Sequence, residues 1–162
     1  MKGLTLIEVL IYMAILAVFI SGIFALFNQA LDNAELLRLR AETAANAEFV
    51  MRKIEWATSG AKTVNIPAAN NSSFQLSIDK FVAGSNPLIF ALSGEKITLA
   101  KGGGAPIDLT NDKVRITQFL VEHFSSVDNP TTLKVALTVE NKPSGHFNQI
   151  ASTTAQMFFA IK

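Results

Sequence analysis

Hydrophobic and polar positions change rhythm twice along this chain. Residues 9–27 are uncharged and almost wholly apolar. As a helix they span about 28 Å at roughly 1.5 Å per residue, close to the hydrocarbon thickness of a bilayer, about 30 Å. Through residues 28–59 the apolar positions recur every three to four residues, and Leu36, Leu39, Thr43, Ala47, Val50, Ile54 and Ala57 share one face. No helix breaker intervenes, so one helix is expected to continue to about Thr58, roughly 55 residues or about 80 Å. Gly60 is placed to end it. Arg38 with Glu42, and Glu48 with Arg52, have the i,i+4 spacing of weak surface pairs.

Beyond Lys62 the period falls to two. Phe74, Leu76 and Ile78 alternate with polar residues. Residues 88–92 and 96–100, joined through Ser93-Gly94, predict a hairpin. Leu133, Val135, Leu137 and Val139 mark a half-buried strand, and Ala155, Met157, Phe159 and Ile161 mark a closing one. Between Val114 and Phe124 the apolar parity shifts near Gln118, which predicts a bulge. One face of an antiparallel sheet packed on the helix stripe gives an α+β fold.

Composition narrows the chemistry. At 162 residues the chain holds one globular domain with appendages. Its net charge of +1, from 14 basic and 13 acidic residues, gives no bulk electrostatic argument for nucleic acid. The mean hydropathy of +0.33 owes much to residues 9–27. With no cysteine, disulfides, thiolate chemistry and Cys-ligated metals are excluded. The two histidines, His123 and His146, have no partners in sequence for catalysis or metal binding and read as ordinary polar positions. Gly102-Gly103-Gly104 lacks the Lys-Ser/Thr of a phosphate loop. Asp108, Asn111 and Asp112 match no EF-hand spacing and read as a solvated turn. No serine sits in a G-x-S-x-G elbow. No catalytic residue, cofactor or metal is expected.

The residue that folding does not explain is Glu8. It follows Lys2 by a short apolar island and stands at the mouth of the apolar run, where an ionised carboxylate costs a few kcal/mol unless it meets a partner. A secretory signal would have a shorter apolar region and an A-x-A-like cleavage site, and none stands between Phe24 and Ala34. A plain anchor explains the span but not the acid. Lys2 before the span, with Asp32 and Glu35 after it, favours an N-terminus inside. Ala14, Ala17, Ser21 and Ala25 form a small-residue stripe that would let a neighbouring helix approach closely. Phe49 and Trp56, opposite the amphipathic stripe, are candidates for a contact with another subunit or for cover by a loop of their own domain.

The stretch Gly3-Leu4-Thr5-Leu6-Ile7-Glu8-Val9-Leu10 resembles the signal of type IV pilins and pseudopilins. The resemblance rests on a short basic leader, the glycine, the glutamate five residues on and the unbroken span. It implies that a prepilin peptidase cuts between Gly3 and Leu4 and N-methylates Leu4, although the family more often has Phe at that position. It also implies that Glu8 pairs with the new amine of its own chain or of the next subunit, so that Glu8→Ala or Glu8→Val would impair assembly. The span lacks the proline of many major pilins, which points to a minor subunit. The late strands, with Val114-Arg115-Ile116-Thr117 followed by residues 133–139, resemble the J-type minor pseudopilin of type II secretion or the W-type minor pilin.

The expected organisation is a leader at 1–3, a transmembrane half-helix at 4–27, an amphipathic half at 28–58 and a β-rich domain at 59–162. The chain would be a single-pass protein of the inner or cytoplasmic membrane, with its C-terminal domain outside the cytoplasm. Its expected partners are the peptidase and other pilins or pseudopilins, and a separate ATPase would drive assembly. The rival reading, a membrane-anchored enzyme or ligand-binding domain, leaves Gly3 and Glu8 unexplained.

Overall fold

Helix α1 (Leu6–Thr58) forms because nothing in it interrupts the backbone ladder, with no proline from Leu6 to Thr58 and one internal glycine, Gly22. It stops where Ser59 donates to the Glu55 carbonyl and Gly60 takes a positive φ of 82°. The structure, a computed structural model, describes residues 5–81, 84, 86–126, 129–143 and 149–161. The chain divides into two units, Met1–Arg38 and Leu39–Lys162. In the first, the described side chains of α1 are largely exposed and apolar. Its 18-residue window of mean hydropathy 2.7 is long and apolar enough to cross a membrane.

In the second unit α1 is amphipathic. It buries Thr43, Ala47, Val50, Met51, Ile54, Ala57 and Thr58. Met51 extends the stripe read from the sequence. Glu48 pairs with Arg52 at 3.6 Å, as the spacing predicts. The Arg38–Glu42 pair does not form. Arg38 reaches Glu35, one residue closer on its own side, while the Glu42 carboxylate accepts from Asn111 and lies 3.7 Å from the Lys113 ammonium.

The strands make two antiparallel sheets rather than the single sheet expected. One has the order β1-β3-β4-β5-β6, with β1 (Ala61–Ile66), β3 (Gln75–Lys80), β4 (Leu88–Ser93), β5 (Lys96–Lys101) and β6 (Ile107–Asp108). The other has the order β2-β7-β8-β9, with β2 (Ser72–Ser73), β7 (Val114–Ser126), β8 (Asn129–Asn141) and β9 (Ser152–Ile161). The predicted hairpin is β4–β5, in register from Leu88↔Lys101 to Ser93↔Lys96, with Gly94 at φ 61° in its turn. The predicted bulge is the register shift between Ile116 and Gln118 on β7. Phe74 departs from its expected alternation. It lies between β2 and β3 and is exposed, because the chain changes sheets there and Ser73 Oγ accepts the Gln75 amide. The core strand begins after it, with Leu76 and Ile78 inside.

Both sheets and α1 contribute to one hydrophobic core. Its largest fully buried side chains are Phe90 on β4 and Phe119 on β7, packed with Met51, Ile54, Leu76, Ile97, Leu133 and Leu137. Thr43 Oγ1 donates to the Arg40 carbonyl at 3.0 Å and lies 2.9 Å from Thr153 Oγ1, joining α1 to β9 by a hydrogen bond inside this unit. At the end of β8 the buried Asn141 clamps the chain. Its Oδ1 accepts the Ala151 amide at 2.6 Å and its Nδ2 donates to the Gln149 carbonyl at 3.1 Å.

Candidate functional site

The N-terminal site is built on the first turns of α1. The Glu8 and Val9 amides donate to the Thr5 carbonyl at 3.1 and 3.3 Å, so the helix is already wound when it reaches the acid. Four residues on, one turn along the same face, the Tyr12 hydroxyl donates to Glu8 Oε1 at 3.2 Å. That bond gives the carboxylate one internal donor and leaves acceptor capacity for a further cation. Gly3 and Leu4, the expected cleavage and methylation positions, lie outside the described residues. Tyr12 was not singled out from the sequence, although a hydroxyl four residues from a carboxylate in an apolar run is a signal that could have found it.

The stripe of Ala14, Ala17, Ser21 and Ala25 is exposed, and it carries no free hydroxyl. Ser21 Oγ donates to the Ala17 carbonyl at 2.8 Å, so the stripe presents small side chains with its one polar group satisfied. Beside it Ala14, Ile15, Val18 and Phe19 line an apolar recess of about 280 Å³. Ala14 is the one small side chain in its lining, among Ile15, Val18 and Phe19.

Phe49 and Trp56 are 41% and 48% exposed. Among the described residues, no loop covers either ring, and lysines approach both. Lys53 Nζ lies 5.4 Å from the Phe49 centroid, while Lys80 and Lys101 lie 4.1 and 5.5 Å from that of Trp56. Lys80 also donates to the Trp56 carbonyl at 2.7 Å, which fixes its ammonium over the ring.

The positions set aside on sequence have specific structural roles. Lys96 Nζ sits between Asp108 and Asp112 at 2.7 and 2.6 Å, so an ammonium occupies the centre of the acidic turn. The hydrogen bond from Lys96 holds Asp112 below the usual carboxylate range, and the bonds that Lys96 donates to Asp108 and Asp112 raise its own pKa. Asn111 bonds Glu42 on α1 instead. His123 is buried, with Nδ1 2.8 Å from the Pro67 carbonyl; its Nε2 is buried without a partner among the described residues. The geometry at Nδ1 makes that nitrogen the donor. His146 lies outside the described residues. Among those described, no group of three or more His, Asp or Glu side chains is placed to hold a metal.

Residues 1–24 match the family model described as the prokaryotic N-terminal methylation motif. That match contains Gly3, Leu4, Glu8, Tyr12 and the start of the small-residue stripe, and it indicates a pilin-type precursor processed by prepilin peptidase. No curated protein and no solved structure matches the chain.

Proposed function

We propose that this chain is a minor pilin or pseudopilin, a non-catalytic subunit that helps initiate a type IV pilus or a type II secretion pseudopilus at or near its tip. The observation that carries the reading is Glu8, a carboxylate inside a methylation motif and an otherwise uncharged span, with only Tyr12 donating to it among the described residues. Prepilin peptidase hydrolyses the Gly3–Leu4 peptide bond, and the new Leu4 amine then takes a methyl group from a sulfonium methyl donor, which leaves as a thioether, and stays cationic as a secondary amine. That amine, from the same chain or the next subunit, pairs with Glu8 and offsets much of the cost of holding a carboxylate in lipid. Pairing between subunits sets the axial register of each one that enters.

The remaining features fit roles around that contact. The stripe from Ala14 to Ala25 packs against a neighbouring span, and Phe49 and Trp56 meet another subunit outside the membrane. The C-terminal unit then lies on the extracytoplasmic side of the inner or cytoplasmic membrane. Within the family, the J-type or W-type minor subunits are the nearest in strand pattern. Intact-mass measurement of the chain purified from its own membrane tests the core of this proposal. Loss of Met1 to Gly3 with one added methyl on Leu4 is expected, and an unprocessed N-terminus overturns it.

A further inference from the structure

The four outer strands of the two sheets are not alike. Three are guarded against pairing with another chain. β1 carries Lys62 and two register irregularities, while β2 and β6 are each two residues long, and β6 ends in Asp108. Such short, charged or irregular edges are the usual devices that keep sheets from extending. β9 has none of them. Its ten residues, Ser152–Ile161, contain no charge, no proline and no glycine, and they pair with β8 without a register shift from Ser152 to Ile161.

The orientation of its free groups follows from the ladder. The Asn141 amide donates to the Ala151 carbonyl, so the odd-numbered residues of β9 bond toward β8. The amides and carbonyls of Ser152, Thr154, Gln156, Phe158 and Ala160 therefore face the open edge. Beside that edge, on the helix side, lies a mainly apolar groove of about 470 Å³. Ala44, Ala47 and Met51 of α1 form its floor, with Ala155 and Met157 of β9 along one wall. Glu48, Arg52 and Glu55 rim it. Glu48 and Arg52 pair with each other, which leaves the Glu55 charge on the rim.

We propose that the free edge of β9 accepts an extended segment of a different subunit of the same fibre, which adds a fifth strand to the β2-β7-β8-β9 sheet. Its backbone takes the outward amides and carbonyls of β9, and its inward side chains fill the groove over Ala44, Ala47 and Met51. The charge left on Glu55 selects a segment that is neutral or basic where it passes the rim. The β9 edge of a second copy, paired antiparallel, does not fit. Antiparallel β9–β9 pairing about a twofold axis normal to the sheet reverses every in-plane direction. It would send the Leu39 ends of the two helices opposite ways, which chains entering one membrane through their N-termini do not allow. The identity of the partner as a fibre subunit rests on the function proposed above; the strand-accepting edge does not.

The test uses the full chain in its own membrane, with a photo-crosslinking benzoylphenylalanine placed singly at Thr154, Gln156 or Phe158, and at Thr63 on the guarded β1 as control. Adducts from the three β9 positions are expected to map to alternate residues of one extended segment in another subunit, with none from Thr63. Gln156→Pro removes one outward amide while sparing the bonds to β8. It should lower the Thr154 adduct about tenfold, as loss of a ladder bond plus a steric clash implies, at an unchanged melting temperature. Glu55→Lys should lower it less. Adducts only to lipid, only to another copy of this chain, or spread without a ladder overturn the strand site, and so does a Gln156→Pro chain that crosslinks normally. Intact-mass measurement on the same sample separates the two claims. A methylated Leu4 with no ladder overturns the strand site alone, whereas an intact Met1 overturns the fibre reading.

Discussion

Compare the parts of α1 on either side of Leu39. Both are unbroken helix, but their side chains differ: residues 9–27 carry no charge, whereas residues 40–58 hold five Ala, one Ile, one Phe and six charged residues. Before Leu39 the large apolar side chains are exposed from Leu6 to Leu31 and again at Leu37, with Leu36 half-buried; after it, Ala47, Val50, Met51, Ile54 and Ala57 are buried to 2% exposure or less. The placement of charge along the helix decides what each apolar surface can do. In the second unit, apolar area removed from water holds a fold together. In the first, the exposed apolar surface suits lipid or another helix, and Glu8, with the Tyr12 hydroxyl bonded to it, is the acid that stands out from it.

The sharpest way to break this division is to damage one side and measure both. Phe90→Ala empties a fully buried ring site in the second unit and is expected to cost about 3–5 kcal/mol of its stability. Leader removal, whose signal lies in residues 1–24, should continue. Thermal unfolding in detergent and an intact mass report the two readouts. The reverse experiment is Glu8→Ala. Its unfolding should shift by less than about 0.5 kcal/mol, as for a position away from the core, while incorporation into sheared fibres falls to near background. Normal incorporation would remove the assembly role of Glu8.

Finer tests stay inside the second unit. Thr43→Val leaves the Thr153 hydroxyl without the bond that ties β9 to α1 and should cost about 1–2 kcal/mol in the same melts. The smallest effect is expected at the Lys96 cluster, which is exposed and screened by salt. Asp112 is held low by Lys96, and Glu95 is held low by its hydrogen bond from Lys142. A lowered carboxylate stabilises fully above its ordinary range and loses that contribution as pH falls through its lowered value. The melting difference between the wild-type chain and Lys96→Met should therefore be present near neutrality and vanish in acid. A difference that persists in acid would count against the ion pair as its source.

Much of this structure was legible because single residues force it. Gly60 past an unbroken amphipathic run marks the end of α1. The parity change near Gln118 is the bulge itself, since one extra residue moves every later side chain to the other face. The features that were not legible depend on groups far apart in sequence. Nothing local to Phe74 says that the chain changes sheets there, so its alternation with Leu76 looked continuous. The acidic turn reads as Asp108, Asn111 and Asp112 alone, because the lysine between two of them comes from β5. In the candidate site, Glu8 and the small-residue stripe were readable as departures from what a plain span requires. Tyr12 was less so, since an aromatic near a membrane boundary has an ordinary explanation. The bare edge of β9 becomes informative only once the sheet order leaves it outermost.

The Asn141 clamp has a practical consequence. One side chain ties the end of β8 to Gln149 and Ala151, which fixes the strand register at the base of the connection. Exposed Pro143, just past the clamp, thus offers an insertion point. A short epitope or a single cysteine, in a chain that has no other, would label each subunit there with one reporter and leave the β8–β9 ladder in place. Counting such labels along a fibre by electron or fluorescence microscopy would give the copy number and position of this subunit directly.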